Sequence, residues 1–290
     1  MGALKRMLCI AVCAIAAAGA AAGAAAGAAR AAAPMRIVSL SGSLTEVVAR
    51  LGFADRLVGV DRSSLRPHEV VARLPRVGTP RAVSIESVLA VSPTLVISYD
   101  DLEPRETLER LRALGIAVVE VPRRRTVESV RDKVTRIAAG LDAAEKGAAL
   151  WAEIARDLAW PAGKPTPSPR LRGLFIQTMG NGPLMVAGEE TAAAALLEAA
   201  EVENAVSGFS AYRPLNPEAA AAANPDAVII LRRAYDRIGG FSGLAALPGM
   251  AETAAVRHRR IVVADDSAYL GLGPGAGEAV RHLREALYGP

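Results

Sequence analysis

One stretch of this chain occurs twice, and it limits what the chain can fold into. Residues 84–97 read Ser-Ile-Glu-Ser-Val-Leu-Ala-Val-Ser-Pro-Thr-Leu-Val-Ile, and residues 216–229 read Asn-Pro-Glu-Ala-Ala-Ala-Ala-Ala-Asn-Pro-Asp-Ala-Val-Ile. Each copy sets a glutamate (Glu86, Glu218) seven residues ahead of a proline (Pro93, Pro225), and an apolar run follows. Proline cannot continue a helix and biases its predecessor toward extended backbone, so the pattern describes a short helix that stops and enters a buried strand. Two such joints, on either side of a proline-rich tract at 161–169, predict two lobes of similar construction.

Alternating helix and strand signals extend the pattern. Apolar runs at 36–40, 57–60, 95–98 and 116–121 predict the strands of a first sheet. Runs at 171–178, 227–231 and 260–264 predict a second. Strands separated by helices of about ten residues indicate parallel βαβ units. Ser43 is placed to cap a helix over 44–51, with Glu46 at the third helical position as in a capping box. Residues 179–188 read as a glycine-rich loop. From 126 to 160 the pattern is helical without strands, interrupted near Gly140-Leu-Asp142.

The N-terminus is of another character. Lys5 and Arg6 precede an apolar run, and an Ala/Gly tract continues to Ala33, as in an export signal with a small-residue cleavage region. A membrane anchor is the other reading; cleaved export to the periplasm is the expectation. Both cysteines, Cys9 and Cys13, lie in this segment, so the mature chain is expected to hold no thiol, disulfide or cysteine metal site. The net charge of +4 is partly a property of the same segment. Removing Lys5, Arg6 and Arg30 from 34 basic residues leaves 31 against 30 acidic ones, a balance that argues against nucleic-acid binding.

Little in the chain suggests catalysis. The three histidines (His68, His258, His282) have no metal-ligand spacing. The glycine-rich run at 271–277 lacks the Lys-Ser/Thr of a phosphate loop, and no Gly-x-Ser-x-Gly elbow is present. Glu86 and Glu218 are good helix-start residues by charge alone. Tyr99 and Tyr212 stand at predicted strand ends or loops, where open α/β sheets line a ligand crevice.

Taken with Arg36-Ile-Val-Ser-Leu40, Gly42-Ser-Leu-Thr-Glu46, Gly59-Val-Asp61, Gly182-Pro-Leu-Met-Val-Ala-Gly188 and Gly208-Phe-Ser-Ala-Tyr-Arg-Pro-Leu215, the repeated stretch resembles a known family. The chain is similar to the periplasmic substrate-binding proteins of ABC importers for iron chelates, haem and cobalamin, above all to the hemin-binding, HmuT-type branch. The resemblance implies an α/β fold: two Rossmann-like lobes with central sheets, joined by a long rigid helix, with the ligand cleft between them. The implied organisation is a signal peptide over 1–33, an N-terminal lobe over 34–125, a helical connector over 126–160 and a C-terminal lobe over 161–290. It further implies a non-enzymatic, monomeric carrier that docks through Glu86 and Glu218 on a dimeric membrane permease.

One departure bears on the cargo. Relatives that bind haem commonly have an axial tyrosine in a Ser-x-Tyr-Pro context, where this chain has Ser64-Leu-Arg66-Pro67-His68. Arginine cannot deprotonate to bind iron. His68 and Met179 are therefore the candidate iron ligands, with Tyr212 a third. Arg66, Arg81 and Arg213 are candidates for contacts to haem propionates, and Tyr99 for the cleft wall. A ferric siderophore or cobalamin-like chelate is the alternative cargo, and a secreted α/β enzyme the alternative of another class.

Overall fold

In the computed structural model, which describes residues 34–79 and 82–289, the first sheet has the strand order β2-β1-β5-β6. Its members are β1 (Ile37–Ser39), β2 (Leu57–Val60), β5 (Leu95–Tyr99) and β6 (Ala117–Val121), all paired in parallel. The intervening helices are α1 (Gly42–Arg50), α2 (His68–Val71), α3 (Ile85–Leu89) and α4 (Glu106–Ala113); the short antiparallel strands β3 (Gly78–Thr79) and β4 (Ala82–Val83) lie between α2 and α3. Every residue of β1 and β5 is buried. A parallel sheet covered on both faces needs such continuous apolar strands. Val38, Val96 and Leu111 belong to the core beneath it. The expected signal peptide, with Cys9 and Cys13, and the candidate Arg81 lie outside the described residues.

The second sheet runs β10-β8-β7-β11-β12, with β9 also on β7. Its strands are β7 (Leu171–Thr178), β8 (Leu184–Ala187), β9 (Val202–Asn204), β10 (Tyr212–Pro214), β11 (Ala227–Leu231) and β12 (Ile261–Ala264). β7, β11 and β12 are parallel, whereas β8 turns back on β7 with Ile176 opposite Val186, and β10 runs antiparallel to β8. The sheet is thus mixed, and the expected loop at 179–188 contains a strand. A four-residue strand flanked by glycines is too short for periodicity to reveal; it forms because the turn at 180–183 returns the chain alongside β7. The helices of this half are α7 (Ala192–Ala199), α8 (Pro217–Ala222), α9 (Arg232–Arg237), α10 (Gly240–Ala245), α11 (Ala254–Arg257), α12 (Asp266–Leu270) and α13 (Ala276–Tyr288).

The repeated stretch does in both halves what its pattern predicts. Ser84 caps α3 by accepting from the Ser87 N–H at 3.3 Å, and Asn216 caps α8 by accepting from the Ala219 N–H at 2.9 Å. Each helix then delivers the chain into a central strand, β5 between β1 and β6, β11 between β7 and β12. Glu86 and Glu218 occupy the second helical position of each copy, both exposed.

The connector is helical in two segments, α5 (Ser129–Gly140) and α6 (Ala144–Leu158). The joint falls at the interruption expected near Gly140, where Asp142 takes a φ of +49°. α5 packs on β6 and α1, and α6 packs on α13, so one segment is seated on each half. The elbow is tight: a Cβ on Gly147 would come within 2.5 Å of the Ala138 Cβ. Both sheets belong to one compact unit, Arg36–Pro290.

Candidate functional site

The carboxyl ends of the parallel strands in both sheets open onto one cleft. Ser41, Gly42 and Ser43 follow β1, Tyr99 ends β5, and Arg123 follows β6. Gln177 to Gly180 end β7, Arg233 follows β11 and Asp266 follows β12. The cavity they enclose measures about 440 Å³, within the usual range for small-molecule sites.

Tyr99 forms a wall of this cavity and is 3% exposed. Its hydroxyl and that of Ser43 share a hydrogen bond of 2.7 Å. That bond revises the expected start of the helix. α1 begins at Gly42 with Ser41 at its N-cap, and Ser43 lies inside the helix with its hydroxyl directed at Tyr99. Glu46 then falls too far along the helix to close a capping box. Its carboxyl borders the cleft, and burial pushes its pKa up to about 7. Burial also raises the Tyr99 phenol, the Ser43 hydrogen bond opposing it.

Arg123 stacks on Tyr99, and its Nε donates to Asp101 at 2.7 Å. A side chamber of about 230 Å³ adjoins the cleft and shares these two residues as lining. Arg124, Arg125, Lys133 and Tyr212 line it. Lys133 is buried and donates to Ser129 Oγ and the Leu272 carbonyl, each at 3.0 Å. Burial, helped by the Arg123 charge, lowers its pKa to about 8. Burial pushes the Tyr212 phenol up to about 12.

A second cavity, of about 520 Å³, adjoins the cleft at Glu46 and holds Arg66 and His68. The loop at 63–69 and α12 stand between the two: Ser63, Leu65, Asp266 and Leu270 face the cleft, whereas Arg66, His68 and Ala268 face the neighbouring cavity. Arg66 donates to Asp265 at 2.6 Å and so ties the loop to the residue before α12. The loop itself is fixed by Asp61, fully buried, which accepts from Ser63 Oγ and Ser64 Oγ at 2.6 Å each.

Tyr99, Met179 and Tyr212 therefore come together along the cleft and its side chamber. Met179 is 71% exposed at the cleft edge. Arg66 and His68 lie beyond the partition, and Arg213 lies on the exposed face of β10, its guanidinium 4.7 Å from the Phe209 ring centroid. The sequence reading missed Arg123, Arg124, Arg125, Lys133 and Arg233. The signal for the first three was present: a run of three arginines one residue after a β-strand, at the end where open sheets bind ligands. Among the described residues, no three His, Cys, Asp or Glu side chains cluster as a metal site.

A family model described as periplasmic binding protein matches residues 37–268. The chain belongs to the periplasmic binding protein family. Its two-lobed α/β architecture is shared with solved members. The periplasmic heme-binding protein RhuT from Roseiflexus sp. RS-1 is 35% identical, with a TM-score of 0.77 over 88% of this chain and 98% of that one. The periplasmic heme-binding protein BhuT, solved in complex with two hemes, is 36% identical, with a TM-score of 0.76 over 87% and 97%. An uncharacterized ABC transporter substrate-binding lipoprotein, YvrC of Bacillus subtilis (strain 168), is 26% identical over 88% of this chain and 80% of its own length. The vitamin B12-binding protein of Yersinia pestis (strain Pestoides F) is 35% identical over a shorter segment, 30% of each chain.

Proposed function

We propose that this periplasmic binding protein captures haem in the interlobe cleft and delivers it to the permease of an ABC importer. The observation that carries the reading is the lining of the cleft: a buried tyrosine under a stacked arginine, a thioether at the edge, and a cationic side chamber. A flat, largely apolar macrocycle with an iron centre and two carboxylates matches that set chemically. Arginine pairs with carboxylates through its planar fork, and methionine is a known axial ligand of haem iron. The 35–36% identity to two heme-binding proteins supports the same cargo.

In this reading the chain is a carrier and not a catalyst. It is exported behind its N-terminal 33 residues and works as a monomer with lobes over 34–125 and 161–290, joined through 126–160. Glu86 and Glu218 contact the two subunits of the permease. Met179 is the favoured iron ligand, because His68 lies beyond the partition formed by the loop at 63–69 and α12.

Titrating the mature chain with hemin tests the cargo. A saturable change in the Soret band at micromolar hemin is expected, and no change at saturating protein would overturn the reading. The second reading, a cobalamin-type chelate, is favoured by the segment shared with a vitamin B12-binding protein and by Arg66 standing in an ion pair where a tyrosine is expected. Cobalamin retained under conditions where hemin is not would replace haem with it.

A further inference from the structure

The glycine-rich run at 271–277, which lacks the residues of a phosphate loop, sits where the two halves of the molecule meet. Leu270 and Gly271 line the cleft, Leu272 lines the side chamber, and Pro274 and Gly275 line the cavity beyond the partition. The run leaves α12 and enters α13, so it belongs to the second half. Three elements outside that half bear on it. Gly273 faces α1 of the first half: a Cβ placed there would come within 2.9 Å of Glu46 Oε2 and 3.3 Å of the Ser43 Cα and Cβ. Lys133 of α5 donates from Nζ to the Leu272 carbonyl at 3.0 Å. Gly277, in the first turn of α13, lies against α6, where a Cβ would come within 2.9 Å of the Ile154 carbonyl oxygen and the Asp157 Cβ.

These contacts differ in kind. α13 is fastened to α6: Arg284 donates to the Leu158 carbonyl at 2.9 Å and the Ala159 carbonyl at 2.7 Å, and Arg281 Nε donates to Asp157 at 3.1 Å. At Gly273 nothing is fastened. Backbone meets α1 with no side chain of its own between them, and among the described residues no backbone hydrogen bond joins 273–275 to α1. Two bodies that touch closely without bonds can turn on the point of contact. Lys133 supplies the restraint. It is 1% exposed, its two hydrogen-bond partners are neutral oxygens, and none of the ion pairs among the described residues involves it. Burying an ammonium without a counter-charge is unfavourable. The group it holds is Leu272, whose φ of +45° is a left-handed conformation that leucine rarely adopts.

The contact at Gly273 leads directly to the cleft. Ser43, on which it rests, shares a hydrogen bond with the Tyr99 hydroxyl, and Arg123 stacks on Tyr99. A displacement of α1 away from Gly273 therefore moves that wall.

We propose that the loop at 271–275 is the joint on which the two lobes turn, and that Gly273 and Lys133 are positioning residues for the cargo site. Gly273 sets how closely α1 approaches, and hence the width of the cleft; Lys133 sets how freely that approach varies. The joint rests on the carrier role for its purpose, and on the haem reading only for the choice of probe.

The interlobe distance can be measured without cargo. Nitroxide labels at Ser87→Cys and Ala219→Cys, corresponding exposed positions in the two copies of the repeated unit, are placed in a Cys9→Ser/Cys13→Ser background. Pulsed electron–electron double resonance then gives the distance distribution. Gly273→Val should lengthen the mean distance and weaken hemin binding about tenfold, the scale of one overpacked contact. Gly275→Ala, whose Cβ would meet only Ala268 of the same half at 3.5 Å, should leave both at wild-type values. Lys133→Met keeps the length of the side chain without the ammonium and should broaden the distribution with little change in its mean. A merely structural role predicts a lower Tm with the distribution unchanged, and that result in either variant would remove that residue from the joint. If Gly273→Val does not fold, Gly273→Ala replaces it, since the backbone there is not left-handed, and an unchanged mean distance overturns the proposal. If hemin binds neither wild type nor variants, the haem reading falls and the distance distributions alone decide the joint.

Discussion

The guanidinium carbon of Arg123 lies 3.9 Å from the centroid of the Tyr99 ring. Contact this close makes the pair a cation–π stack, and burial of Tyr99 strengthens it. Asp101 holds the arginine from its other side at 2.6 Å. The stack fixes one wall of the cleft and the entrance to the side chamber together. Arg123→Ala should weaken hemin binding by about tenfold while leaving the fold intact, because only a partly exposed side chain is removed. Arg123→Lys should recover little of the loss, since an ammonium lacks the planar face. Hemin titration of both variants checks this.

The iron ligand can be assigned by spectroscopy. Met179→Ala should change the Soret and charge-transfer bands of the hemin complex, and His68→Ala should leave them as in the wild type. The reason is placement: Met179 borders the cleft, whereas His68 lines the cavity beyond the partition. A His68→Ala spectrum that changes while Met179→Ala does not would reverse the assignment.

Glu86 and Glu218 occupy the same position in the two copies of one structural unit, exposed at the starts of α3 and α8. The Ser84 hydroxyl donates to Glu86 at 2.5 Å and holds its pKa below the usual carboxylate value. Glu86→Lys and Glu218→Lys should leave hemin affinity within about twofold and cut uptake by about tenfold or more, since like charges set against each other at an interface cost several kcal/mol. Uptake in a strain dependent on this carrier measures it. Unchanged uptake with both reversals would reduce the pair to helix-start charges.

Glu46 makes stability depend on pH. Its folded pKa of about 7 lies above the ordinary value of 4.5, so between those values the folded chain holds more protons than the unfolded one. Stability therefore falls as pH rises through that window. Glu46→Gln should flatten this part of the profile and stabilise the protein by about 2 kcal/mol at pH 8, less than the full shift because the group is not wholly buried. Urea unfolding at pH 5 and pH 8 gives the comparison. A variant with the wild-type slope would show that Glu46 does not titrate in this window.

The elbow of the connector depends on a missing side chain. Gly147→Val would place a Cβ within 2.5 Å of the Ala138 Cβ, which α5 and α6 can relieve only by separating. A loss of about 2–3 kcal/mol is expected from such overpacking. Thermal unfolding would detect it, and a Tm within a degree of the wild type would show that the elbow yields freely.

How much could be read without coordinates varied with the range of the interactions involved. The strands at 57–60, 171–178 and 227–231 have the expected bounds, because continuous apolar runs between helices are local signals. β8 and β10 escaped because they are held by pairing with distant neighbours, not by their own pattern. Arg213 and Tyr212 are adjacent in sequence, yet the alternation of a strand sends one outward onto Phe209 and the other into the chamber. Arg66 looked like a cleft residue by position, but its loop turns it away toward Asp265.

By itself the sequence determined the repeated helix–proline–strand unit, the two α/β halves and the place of Glu86 and Glu218, since each follows from backbone preferences acting over a few residues. Only the tertiary structure decided which arginines meet in one chamber and on which side of the partition His68 falls. Those outcomes depend on how the ends of separate strands converge across a cleft, and no spacing along the chain encodes that distance.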